Sequence, residues 1–183
     1  MGVLILGLLP LIPDLSLYNT RRSIMPQLID FNQPWEGKFY YVRGSSLTIE
    51  RPPEAWPESE SKLVGKMNIE PGAYPGFVMM DAYPDWSRYK YFEWEVLLDE
   101  TTSQAATIRA HDLYHDVYDY RDRFRREFDL QPGFQRIRVA IADMRKVANG
   151  RELELDQMHG FSLFFPELDR PLKVYVGEAR LYE

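Results

Sequence analysis

From Pro26 onward, apolar and polar residues alternate in short runs, the pattern of strands that bury one face. "YFEWEVLLD" sets Phe92, Trp94, Val96 and Leu98 on one side and Glu93 and Glu95 on the other. "SLTIE" aligns Leu47 with Ile49, and "TIRAHD" opposes Ile108 and Ala110 to Arg109 and His111. "RFRREFDL" opposes Phe124, Phe128 and Leu130 to Arg123, Arg125, Glu127 and Asp129. "QRIRVAIA" opposes Ile137, Val139 and Ile141 to Arg136 and Arg138. "GFSLFF" and "LKVYVGEARLY" predict two closing strands, the first buried on both sides.

Turn chemistry separates these runs. "RPPEAWPESES" is a proline-rich polar loop, "EPGAYPG" and "DAYPDWS" are turns, and "QPGF" joins two strands tightly. "ADMRKVANGRELELDQM" predicts a short helical turn and an Asn-Gly reversal, and no long amphipathic helix is expected anywhere. About ten short strands at this spacing predict an all-β antiparallel sandwich with few helical turns. Residues 26–183 form its one domain, behind a hydrophobic segment and linker at 1–25.

Composition narrows the function. The chain has 183 residues, 22 Lys and Arg against 28 Asp and Glu, and a net charge of −6. That balance disfavours nucleic acid as a partner. With no cysteine, disulfides, thiolate chemistry and cysteine-ligated metals are excluded. "MGVLILGLLPLIP" is uncharged and apolar, too short to span a bilayer and without the basic start of a signal peptide. It could be a weak signal, the tail of a membrane segment, or an element packed on the domain. Arg21 and Arg22 behind it suit an interfacial anchor or an exposed basic turn.

A resemblance rests on "LIDFN", "DWSRYKYFEWEV", "TIRAHD", "YRDRFRREFDLQPGFQRIRVAI", "RELELDQMHGFSLFF" and "KVYVGEARL", in that order from about Gln27 to Glu183. Together they resemble the galactose-binding-like β-jelly rolls of the carbohydrate-binding-module type. They are most similar to the bacterial form found beside sugar-active domains or after VanZ-like membrane segments. The resemblance implies a two-sheet jelly roll that binds saccharide on its concave face or edge loops and performs no catalysis. It also implies an extracytoplasmic or membrane-associated setting, with attachment through the N-terminal segment. Many such domains carry an acidic residue in the last strand that helps hold a structural calcium. Here that place reads "VYVGEARL", so Glu178 with Asp30 would be the start of such a site, short of the six to eight oxygens calcium takes. No other cofactor is expected.

The densest polar stretch is "YHDVYDYRDRFRREFDL", Tyr114 to Leu130. His111 and His115 have zinc-like spacing for a helix, but the pattern around them is a strand running into a loop, with only His159 or a carboxylate as a third ligand. Asp112, Asp116, Asp119 and Asp122 with His111 offer acid–base groups at no fixed spacing, and neither a nucleophile elbow nor a phosphate loop is present. A saccharide site suits the residues better: carboxylates accept from sugar hydroxyls, arginine donates in a rigid fork, and rings cover C–H faces. The candidate ligand residues are Arg109, His111, Asp112, Tyr118, Tyr120, Asp122 and Arg123, with Trp86 as an added platform. The competing structural reading has Glu93, Glu95, Arg109, Arg136 and Arg138 forming cross-strand ion pairs, Asp122 and Arg123 bracing their loop, and Trp86 plugging the sandwich. The expectation is a non-catalytic carbohydrate-binding module. A protein-interaction scaffold is the alternative and a metal-dependent hydrolase a lesser one.

Overall fold

The computed structural model describes residues 12–57, 61–82 and 84–183, the first four by backbone alone. In chain order the elements are helix α1 (Ile12–Ser23), β1 (Gln27–Ile29), a 3-10 turn (Pro34–Lys38), β2 (Tyr40–Arg43), β3 (Ser45–Glu50), β4 (Val64–Ile69) and β5 (Gly76–Met80). Then follow β6 (Tyr91–Leu98), β7 (Gln104–Asp112), β8 (Phe124–Leu130), β9 (Gly133–Ala140), helix α2 (Ile141–Arg145), β10 (Met158–Phe164) and β11 (Leu172–Tyr182). Among the described residues the strands make two antiparallel sheets. The first runs β3-β4-β11-β6-β9 with β1 added to β11, and the second runs β2-β5-β10-β7-β8. This is the expected jelly-roll sandwich.

Alternation places the core between the sheets. Phe92, Trp94, Val96 and Leu98 of β6 are buried against Phe77, Met79, Ile108, Phe161 and Leu163 of the second sheet. Rings fill the centre: Phe161 lies 5.1 Å from both Phe92 and Trp94, and Trp86 stacks on Phe92 at 5.7 Å. Edge-to-face ring pairs of this kind add about 0.5–1.5 kcal/mol beyond area burial. β10 is buried on both faces except at His159, as its near-continuous apolar run predicts.

On the outer face of the first sheet, cross-strand pairing sets Glu93 against Arg138 and Glu95 against Arg136. Both glutamates are buried beneath their arginines, at 2.8 Å and 3.2 Å. Arg109 does not join this network, because β7 belongs to the other sheet. The proline-rich loop also folds inward here. Trp56 packs on Gly177, where a Cβ would fall 2.4 Å from the indole.

Helix α1 is the element that the two-residue period did not predict. Arg21, in its last turn, is only 3% exposed and lies 4.0 Å over the Phe39 ring. Burial lowers its guanidinium to about 10. It is therefore neither an interfacial anchor nor part of an exposed basic turn, while Arg22 stays exposed. Residues 1–11, which hold most of the apolar N-terminal stretch, lie outside the described residues. Among the described residues no helix is long and apolar enough to cross a membrane.

Phe161→Ala empties the meeting point of three aromatic rings. It is expected to cost about 3–5 kcal/mol of unfolding free energy, read from the midpoint of urea denaturation. A loss no larger than that of an exposed phenylalanine would contradict this packing.

Candidate functional site

β7 and β8 pair as a hairpin whose connection, residues 113–123, holds the first part of the polar stretch that begins at Tyr114. Their register sets Arg109 opposite Arg125, and β10 sets Ser162 beside Arg109 and Gly160 beside His111. These residues lie on the outer face of the second sheet. The Arg109 guanidinium sits 4.7 Å over Phe164 and 5.7 Å from Tyr74. Arg123 sits 5.2 Å over Tyr120 and donates from Nη2 to the Val117 carbonyl at 3.2 Å. Burial, then Arg125 and Arg123, lower the Arg109 guanidinium.

All three histidines of the chain gather next to them. The His111 ring is 4.0 Å from His115 and 5.6 Å from His159. Gly160 makes room for this, since a Cβ there would meet the Met79 carbonyl at 2.5 Å and His111 Cε1 at 2.9 Å. Burial first, then His115, His159 and Arg123, push His111 down to about 3, so it stays neutral near neutral pH. His115 Nδ1 contacts the Asp112 carbonyl at 3.1 Å, and His159 Nδ1 pairs with Asp81 at 3.3 Å. Tyr74 and Asp81 flank β5, with φ of 55° and 50°. Side chains held in that left-handed region cost about 1 kcal/mol or more each. The strain aims one residue at Arg109 and the other at His159.

The aspartates of the loop turn the other way. Asp112 is fully buried and accepts Arg151 Nη1 at 2.6 Å, Arg151 Nη2 at 3.0 Å, the Glu154 amide at 2.8 Å and the Tyr114 amide at 3.2 Å. Asp122 accepts Arg151 Nε at 2.6 Å, Asn149 Nδ2 at 3.0 Å and the Asp116 amide at 2.7 Å. Burial opposes ionisation of both. These donors outweigh it, so Asp112 sits below the usual carboxylate range and Asp122 is pushed down to about 2. The Arg151 guanidinium is raised by the same bonds. One arginine thus clamps both ends of the loop.

The structure therefore brings Arg109, His111, Tyr120 and Arg123 together and removes three residues from the expected set. Asp112 and Asp122 have their oxygens filled by Arg151 and backbone amides, so they have little left for a ligand. Trp86 is in the core at 0% exposure, and it cannot serve as a platform. Tyr118 projects from the loop tip, 91% exposed. Arg151, Tyr74, Phe164 and Gly160 were missed by sequence reasoning. Arg151 lies 39 residues from Asp112 with no local signature, while Phe164 could have been placed by registering "GFSLFF" against "TIRAHD". Beside the clamp, Tyr114, Arg151, Glu152, Glu154, Asp156 and Gln157 line an open hollow of about 480 Å³. Near the last strand, Asp30 bonds to the Asn32 amide and side chain, and Glu178 pairs with Arg180. Among the described residues no group of three or more histidines and carboxylates is arranged to hold a metal ion.

No protein-family model and no curated protein matches the chain in sequence. Solved structures do match in fold. A family 11 carbohydrate-binding module from Clostridium thermocellum, in complex with a β-1,3-1,4-mixed-linked tetrasaccharide, aligns at a TM-score of 0.60 and 12% identity, over 85% of this chain and 94% of that one. A family 28 module specific for non-crystalline cellulose aligns at 0.55 and 12% identity, over 87% and 94%. The fold is that of the carbohydrate-binding-module jelly rolls. An exo-β-agarase aligns at 0.66 and 14% identity over 85% of this chain, which spans only 24% of the enzyme.

Two measurements check this geometry. Arg151→Met leaves two buried carboxylates facing each other. It is expected to cost about 3 kcal/mol, the low end for a broken buried ion pair because Arg151 is itself part-exposed, and to speed amide exchange in residues 113–123. An unchanged urea midpoint would contradict the clamp. His111 titrates lower folded than unfolded, so the unfolded chain binds the extra proton. Its contribution is constant above pH ~6.5 and falls between there and about 3, by at most about 1.4 kcal/mol per pH unit. His111→Gln is expected to flatten the fall in melting temperature from pH 7 to pH 5 relative to the parent. Equal falls in both proteins would show that His111 is not buried neutral.

Proposed function

We propose that the domain is a non-catalytic carbohydrate-binding module that takes saccharide on the outer face of its second sheet. The observation that carries this reading is the pair of guanidinium–ring contacts on that face, Arg109 with Phe164 and Tyr74, and Arg123 with Tyr120. A sugar ring offers an apolar C–H face and a rim of hydroxyls. The tyrosines supply surface for the first and the arginine forks supply donors for the second. Fold likeness to the family 11 and family 28 modules supports the ligand class.

The reading is binding without turnover. Of the loop carboxylates that would serve as acid and base, Asp112 and Asp122 are locked by Arg151, Asp119 pairs with Arg121 and Asp116 accepts the Tyr118 amide, and the His111 ring lies 4.0 Å from that of His115. On this reading the domain works outside the cytoplasm, where polysaccharides are met, and the apolar N-terminal stretch attaches it to a membrane.

A glycan array followed by affinity electrophoresis tests the proposal. Arg109→Ala and Tyr120→Ala are each expected to weaken binding by about tenfold, the loss of one charge-assisted hydrogen bond or one stacked ring, with melting temperatures kept. Unchanged binding in both variants would discard the site.

A further inference from the structure

The two outer faces of the sandwich differ in how their charges are balanced. On the first sheet each arginine has a carboxylate: Arg136 has Glu95, Arg138 has Glu93 and Arg180 has Glu178, at 3.2, 2.8 and 3.5 Å. On the second sheet Arg109 stands directly opposite Arg125, and such like-charged cross-strand pairs are destabilising. Arg125 is paired to Glu127. Among the described residues Arg109 has ring contacts only, and Arg123 Nε is buried without a hydrogen-bond partner.

The nearby carboxylates are turned to other partners. Asp112 and Asp122 are filled by Arg151, Asp119 pairs with Arg121, Asp81 lies against His159, and Asp116 accepts the Tyr118 amide at 2.8 Å. A chain with a net charge of −6 thus collects two guanidinium groups without a carboxylate partner on one face. Partly desolvated cations without counterions are costly to keep, and they are the donors best suited to a planar or tetrahedral anion.

We propose that the saccharide taken by this face is acidic, a polysaccharide bearing uronate carboxylates or sulfate esters, with the anionic group received by Arg109 and Arg123 and the sugar faces by Tyr74 and Tyr120. This rests on the carbohydrate reading above and names its ligand class. A nucleic acid shares the anionic chemistry, but nucleic-acid binders carry a basic balance, and this chain has a net charge of −6.

The test uses matched pairs: polygalacturonate against its fully methyl-esterified form, and dextran sulfate against dextran, with poly(dT) as a third probe, by affinity electrophoresis and calorimetry at neutral pH. The expected result is at least about tenfold tighter binding to a charged member than to its neutral partner, lost in Arg109→Gln and Arg123→Gln. Affinity should also fall between about 50 and about 500 mM salt. Equal, salt-independent binding to charged and neutral members would overturn the acidic assignment and leave the carbohydrate reading standing. Binding to neither member of either pair would overturn the acidic assignment, while the carbohydrate reading stands or falls on the glycan array. Poly(dT) bound as tightly as polygalacturonate, with the same arginine dependence, would overturn the saccharide assignment in favour of a general polyanion site.

Discussion

The grip of Arg151 on Asp112 and Asp122 is the constraint from which the candidate face takes its shape. Asp112 ends β7 and Asp122 lies two residues before Phe124, the first residue of β8, so one guanidinium closes the base of an eleven-residue connection, 113–123. Closing a loop of that length costs entropy that grows slowly with length. Three charge-assisted hydrogen bonds from one planar fork offset it at a single point. Because the carboxylates face the clamp, the residues beside them in the alternation, His111 and Arg123, are left on the sheet's outer face. The surface chemistry is thus a by-product of the direction in which the buried charges point.

That coupling explains which parts of the site were legible in the sequence. Period two told which side of the strand Arg109, His111 and Arg123 share, and the structure keeps them there. It also put Phe124 in the core, where it is. Periodicity is silent about partners far away in sequence, and so Asp112 and Asp122 looked like available acceptors when Arg151 had already taken them. Trp86 reads two ways in the sequence, as a platform and as a plug of the sandwich, and the structure takes the second, with the indole buried and stacked on Phe92. Helix α1 was illegible because its sequence, "IPDLSLYNTRRS", has a weak apolar face and is held by one buried arginine against Phe39 instead.

The two sheets of the sandwich treat their outer faces differently. The first sheet pairs its outward charges and lays Trp56 over Gly177, so both of its faces contribute to packing. The second sheet shares the same core but keeps small residues, Gly76, Gly160 and Ser162, at outward positions of β5 and β10. Low side chains there leave the taller ones, Arg109, His111 and Tyr74, to define the relief of the surface.

Tyr118 stands at the far end of the connection that Arg151 closes, its side chain exposed while its amide donates to Asp116 Oδ1. Exchange of that side chain would leave the clamped base untouched. The protein therefore has one spot beside the candidate face where chemical variety can accumulate at almost no cost to the scaffold.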